Sequence, residues 1–287
     1  MKYEFIKAHK DIYSVTRMCS LFSVSRSGYY AWINHKPSTR ELENINLDNK
    51  IASIFSNNKQ RYGSPRITRE LKKDGHPCSY NRVANRMKAL NLKALAKKKF
   101  KVTTDSEHSK PVFKNILNRD FTTTQINQKW AGDITYIATN EGWLYLAVII
   151  DLHSRAIIGW SMSKRMTKQL VCDALIMALF NRKFPENVIV HTDRGSQYCS
   201  NKYRKIIKNN KLTGSMSRKG NCWDNAISES FFHTLKVELI HQQKYLTRQE
   251  AKSNIFQYIE GYYNKKRMHS SIDYKTPYEV ECNSEYA

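Results

Sequence analysis

The chain is short of acid. Its 287 residues hold 25 Asp and Glu against 48 Lys and Arg, a net charge of +23 with a pI near 9.7. That imbalance argues against a small-molecule metabolic enzyme and for a nucleic-acid partner. The chain also lacks any C-x-x-C pair. Its six cysteines (Cys19, Cys78, Cys172, Cys199, Cys222 and Cys282) are scattered, which argues against a structural zinc site and for reduced thiols in a cytoplasmic protein. No apolar run approaches the roughly 20 residues of a membrane span. The longest, Leu144 to Ile150 and Ala174 to Phe180, suit a core. The start, Met1-Lys2-Tyr3-Glu4-Phe5, leads into polar sequence without the pattern of a secretory signal.

The positive charge is unevenly spread. Residues 1–125 carry 25 Lys and Arg against 10 Asp and Glu, and residues 126–287 carry 23 against 15. The N-terminal part therefore reads as the main grip on DNA and the C-terminal part as the place for chemistry. Residues 1–38 read as a helix-turn-helix-like segment, helical over about 11–36. Val15, Met18, Cys19 and Phe22 fall at helical spacing. Ser25 is placed to cap a second helix carrying Arg26 toward a groove. Pro37-Ser38-Thr39 reads as a linker. A second unit of the same kind spans 41–95. It has a helix over 41–57 with Leu42, Ile45, Ile51, Ile54 and Phe55, a turn around Pro65 into another ending near Gly75, and a third capped by Ser79. Arg66, Arg69, Arg82 and Arg86 line it as DNA contacts, with Arg61 and Lys88 beside them. Residues 96–125, which include Lys97-Lys98-Lys99, read as a flexible basic linker.

From residue 126 to 287 the pattern changes. Strand-like runs at Trp130–Ala138, Trp143–Asp151 and Arg155–Ser163 suggest an antiparallel meander. A helix at 168–182, a buried strand at 188–192, a helix at 201–210, a strand at 212–216 and helices at 224–240 and 248–263 follow. The order β-β-β-α-β-α-β-α predicts an α/β, ribonuclease H-like fold. Its mixed five-stranded sheet is flanked by helices and preceded by the all-α region.

Three acids stand out. Asp133 lies among Ile134, Tyr136 and Ile137, where a carboxylate is costly without a cation. Asp193 precedes Arg194-Gly195, a turn that exposes its side chain. Glu229 shares a helix face with Asn225, His233 and Lys236, at offsets of −4, +4 and +7. The fold order places the first acid on the first strand, the second at the end of the fourth, and the third on the helix after the fifth. Hard carboxylate oxygens suit Mg²⁺ or Mn²⁺, and two such ions clamp the oxygens of an in-line displacement. Asp151 reads as a structural strand-end residue and Asp224 as a helix cap.

The segments around these acids resemble bacterial insertion-sequence transposases with a retroviral-integrase-like (DDE) catalytic core, the product of the second open reading frame of such elements. Two signatures carry most of the resemblance. One is the stretch Ser215-Met216-Ser217-Arg218-Lys219-Gly220-Asn221-Cys222-Trp223-Asp224-Asn225-Ala226. The other is Tyr263-Asn264-Lys265-Lys266-Arg267-Met268-His269-Ser270-Ser271 with Thr276-Pro277. The resemblance covers nearly the whole chain. It implies that Asp133, Asp193 and Glu229 are a catalytic, metal-binding triad and that Lys236 helps to hold the transposon end. It further implies metal-dependent DNA cleavage and strand transfer, a homo-oligomer on DNA, and a partner product of an upstream reading frame, possibly fused. Relatives carry an oligomerising zipper on that product, and this chain shows no heptad run of its own. Two other readings share these features: a DNA-binding regulator with an inert core, and a structure-selective nuclease that cuts without joining.

Overall fold

The computed structural model describes residues 1–95, 111–218 and 222–285. The chain opens with α1 (Lys2–His9), α2 (Val15–Leu21) and α3 (Arg26–Ile33). Ser25 caps α3 as its sequence predicts, its hydroxyl accepting from the Gly28 N–H at 2.9 Å. Helix α1 is an addition to the sequence reading, and its Ile6 completes a small core with Met18, Cys19 and Tyr29. The expected linker at Pro37-Ser38-Thr39 joins α3 to α4 (Thr39–Asn57), whose first residue is Thr39. Ser38 and Glu41 form a reciprocal capping box there, which fixes the helix start at that residue. With α5 (Ser64–Lys73) and α6 (Tyr80–Ala89), α4 buries Ile51, Phe55, Ile67, Leu71 and Val83. Ser79 caps α6 through the Arg82 N–H. Leu42 and Ile45, read as part of the apolar face of α4, are more than half exposed, because α5 and α6 cover only its later turns.

The C-terminal part is the expected mixed sheet flanked by helices. Strands β1 (Lys129–Thr139), β2 (Gly142–Asp151), β3 (Ile157–Ser163), β4 (Ile189–Thr192) and β5 (Thr213–Met216) lie in the order β3-β2-β1-β4-β5. The first three pair antiparallel; β4 and β5 add on in parallel. Helices α7 (Lys168–Asn181) and α8 (Asn201–Asn209) cover one face. On the other lie α9 (Ala226–Glu238) and α10 (Arg248–Phe256). Strand β2 is buried on both sides, Ala147 and Ile149 facing α7 while Leu146, Val148 and Ile150 face α9 and α10. The helix read over 248–263 widens after Phe256 into a π-turn, Gln257–Tyr263, and α11 (Pro277–Glu285) follows. No helix among the described residues is long and apolar enough to cross a membrane.

The segment read as a flexible linker is, over 111–125, packed against the sheet; residues 96–110 lie outside the described residues. Leu117 is buried against Ala131 and Leu152. The Ile116 and Leu117 N–H groups donate to the Ser215 hydroxyl at 2.9 and 3.1 Å. These bonds extend the protein past β5, which explains why a stretch with few apolar residues is fixed.

A strap from the C-terminal side joins the helical unit to the core. The Tyr62 hydroxyl donates to Lys266 O at 2.9 Å and accepts from the Met268 N–H. Arg66 donates to Met268 O at 3.0 Å and Arg61 to Glu238 O at 3.2 Å. Met268 itself is buried in the core of α4–α6. The closest packing in the sheet is elsewhere, where β3 meets α7 at Gly159. A Cβ there would stand 2.6 Å from Ala178 N and closer still to Ala174 O. Gly159→Ala is therefore expected to cost about 1–3 kcal/mol by overpacking, a drop of several degrees in the thermal unfolding midpoint. An unchanged midpoint would show that α7 is free to move off the sheet.

Candidate active site

Strands β1 and β4 run parallel in register from Lys129↔Ile189 to Gly132↔Thr192. The next residue on each is an acid, so Asp133 and Asp193 emerge side by side where the pairing stops. Gly132 permits the close approach, since a Cβ there would meet Ile149 Cδ1 at 3.0 Å and Thr192 Cγ2 at 3.2 Å. Each carboxylate is aimed by a nearby amide. Asp133 Oδ1 accepts from the Ile134 N–H at 2.8 Å and Asp193 Oδ1 from the Gly195 N–H at 2.9 Å. Behind Asp193, His191 spans the hydroxyls of Ser215 and Ser217 at 2.9 and 3.1 Å. Burial pushes it down to about 4 against the pull of Asp224. It is neutral at pH 7, one ring nitrogen donating and the other accepting, and so ties β4 to β5.

Glu229 stands exposed on α9, while Phe231, Phe232 and Leu235 of the same helix are buried in the core. Lys236, seven residues on, is half-buried and holds its ammonium 5.2 Å from the Tyr136 ring. His233 lies partly buried one turn after Glu229. Both ends of α9 are clamped. At the start Asp224, expected as a cap, is fully buried in a 3₁₀ turn before the helix. It accepts from Arg218 Nε and Nη2 at 3.0 Å, Arg119 Nε at 2.9 Å and Asn115 Nδ2 at 2.9 Å. These donors hold its carboxyl far below the usual range against the cost of burial. At the other end Glu238 accepts from Arg267 at 2.9 Å and from the Tyr258 hydroxyl at 2.8 Å, all three buried. Neither clamp is visible in the sequence, because the partners lie from 6 to 109 residues away.

The Asp133 carboxyl lies in the field of both other acids. Burial and then the neighbouring Asp193 charge push the Asp133 carboxyl well above its ordinary 3.8; Glu229 adds to this, and the Ile134 N–H and Lys236 oppose it. Partial desolvation raises Glu229. Lys236 is lowered by desolvation while Tyr136 and Asp133 favour its charged form. Among the described residues no three His, Cys, Asp or Glu side chains already stand grouped as a metal cage. The donor set nonetheless suits a hard divalent cation. It is all carboxylate oxygen, and Asp133 bears a repulsion that a cation would relieve.

The remaining sequence candidates fall into two groups. Arg26, Arg69 and Arg82 are exposed, and Arg82 is shared with Asn44 and Glu43. Arg66, Arg86, Arg194 and Asn225 serve the fold. Arg66 holds Met268 O, Arg86 pairs with Asp48 at 2.7 Å, Arg194 donates to Ser217 O, and Asn225 is only 5% exposed. Asn225 thus presents no surface to DNA, because the turn that begins α9 packs it inward. Asp151, read as structural, is buried and accepts from the Asn127 and His153 N–H groups.

Models of known families match three stretches: an integrase core domain over residues 123–222, a second integrase core model over 229–284, and an HTH-like domain over 41–100. Among curated proteins, the transposase InsF for insertion sequence IS3A of Escherichia coli (strain K12) is 50% identical over 283 residues, 98% of each chain. An uncharacterized 31 kDa protein of insertion element IS600 from Shigella sonnei is 46% identical over 91% of this chain and 96% of its own. Among solved structures, a chain of the simian T-cell lymphotropic virus intasome aligns with a TM-score of 0.47 at 17% identity. That alignment covers 80% of this chain and 73% of the other.

The raised Asp133 carboxyl has a consequence for stability. It keeps its proton to higher pH in the folded chain than in the unfolded one. Its contribution therefore worsens as pH rises from about 3.8 through the raised value. Asp133→Asn keeps the acceptor for Ile134 and removes the charge. Without divalent metal at pH 7 the variant is expected to unfold at a higher temperature than the parent, with the gap closing toward pH 4. Mn²⁺ is expected to raise the midpoint of the parent alone. A variant less stable at pH 7 in chelator would contradict the repulsion.

Proposed function

Since the chain belongs to the family of bacterial insertion-sequence transposases that includes InsF of IS3, we propose that Asp133, Asp193 and Glu229 are its catalytic acids. The protein is a transposase with an integrase core, a polynucleotidyl transferase that cuts and joins DNA strands during transposition. One observation carries the assignment: the parallel pairing of β1 and β4 stops at Gly132↔Thr192, so that Asp133 and Asp193 leave the sheet side by side. Asp133, Asp193 and Glu229 would hold the divalent metal. Bound there, a pair of Mg²⁺ or Mn²⁺ ions supplies activation of the attacking oxygen and neutralisation of the leaving one.

The protein's own groups supply the rest. Lys236 meets a phosphate of the element end, and His233 lies beside it on the same helix. No side chain needs to form a covalent bond to DNA, so the same acids serve first hydrolysis by water and then attack by the freed 3′-hydroxyl. Arg26, Arg69 and Arg82 give salt-dependent phosphate contacts. The chain acts as a homo-oligomer on DNA in the bacterial cytoplasm. Exposed Ile12, Tyr13 and Leu21 on the first helical unit offer a surface for the upstream reading-frame product.

The test is a strand-transfer assay with Mg²⁺ or Mn²⁺ and labelled DNA carrying the element's end. Joining is expected to depend on metal and to vanish in Asp193→Asn and Glu229→Gln, while gel-shift affinity stays within about twofold, since neither change removes a cation that meets phosphate. Joining that persists in either variant, or that needs no metal, would refute the assignment.

A further inference from the structure

Three residues past Asp133 on β1, Tyr136 forms with Trp143 of β2 a pair of aromatic rings that belongs to neither core of the sheet. Tyr136 and Trp143 are 38% and 49% exposed. Their rings pack edge to face at 5.0 Å, from diagonal positions across β1 and β2. Large apolar rings left this open on a rigid sheet mark a contact surface. Rigidity is built in. Arg248 donates through Nε to Trp143 O at 3.0 Å, and its N–H donates to Glu141 Oε2 at 2.8 Å. The turn between the strands is further tied by the Asn140 N–H to Tyr245 O at 3.0 Å. Gly142, at φ +101°, makes the turn possible.

The position of the pair identifies its occupant. Lys236 links the rings to the catalytic acids: its ammonium is 5.2 Å from the Tyr136 ring and lies in the field of Asp133. A strand whose phosphate meets Lys236 brings a base within reach of the Tyr136 and Trp143 rings. In a chain of net charge +23, rings flanked by a cation match a base and its phosphate better than they match an apolar protein surface. We propose that Tyr136 and Trp143 form a stacking platform for an unpaired base at the end of the DNA strand being cut or joined. The platform holds that end frayed and its backbone aligned with the acids. The inference rests on the transposase reading and adds two substrate-positioning residues to it.

Photocrosslinking tests it without requiring activity. The full chain is bound, in chelator, to a duplex copying the element's end, with 5-iodouracil at each terminal position in turn. Crosslinks are expected at Tyr136 or Trp143 from one or two terminal positions. In parallel reactions with Mn²⁺, Trp143→Ala and Tyr136→Ser are expected to slow joining of a fully paired end by about 10-fold, the scale of one lost base–aromatic stack. Recovery is expected with Trp143→Phe, and also with an end whose terminal pair is mismatched. Crosslinks only at other residues, or equal slowing on paired and mismatched ends, would overturn the platform. Wild-type joining is scored separately, so that result would leave the transposase reading intact.

Discussion

Two carboxylates emerging side by side from parallel strands repel each other, and much of the catalytic domain is built to keep them there. Strand pairing ends at Gly132↔Thr192, the glycine allows the close approach, and buried residues on both faces of β2 prevent the sheet from relaxing. The cost falls on Asp133, which is displaced far above its ordinary range. A group held in an unfavourable ionisation state within a fixed frame is the usual mark of a site prepared for a cation or for proton chemistry. Here the neighbours, all oxygen donors with one lysine, favour the cation.

Glu229 reaches that frame through a helix fixed at both ends. Asp224 binds the start of α9 to Arg119, Arg218 and Asn115. Glu238 binds its end to Arg267. Buried pairs of this kind add little net stability but are costly to break, so they specify position. Burial and the adjacent Arg267 push His269 down to about 2, leaving it a neutral neighbour able to accept from that arginine at 3.3 Å. The same stretch, Lys266 to Met268, holds Tyr62 and Arg66 of the helical unit. The helix that carries Glu229 and the N-terminal helical unit thus share one buried junction.

The sequence made the succession of strands and helices readable because each rests on local signals. Alternation gives the strands, Ser25 and Ser79 the caps, and a carboxylate amid Ile134, Tyr136 and Ile137 a candidate site. It hid what depends on distant partners. Arg61 and Arg66 look like DNA contacts until Glu238 O and Met268 O, respectively, occupy them. Asp224 looks like a cap until arginines on two other segments converge on it. Residues 111–125 look like a linker because their order comes from backbone bonds to Ser215, which no periodicity reports. Tyr136 and Trp143 read simply as strand residues, since exposure on a sheet is decided by what fails to cover it.

The most direct measurement is anomalous diffraction from crystals of the full chain grown with Mn²⁺. The account predicts manganese bound between Asp133 and Asp193 with Glu229 turned toward it, and no such peak in Asp133→Asn crystals. Manganese found only elsewhere, with the three carboxylates left as they are without metal, would contradict it.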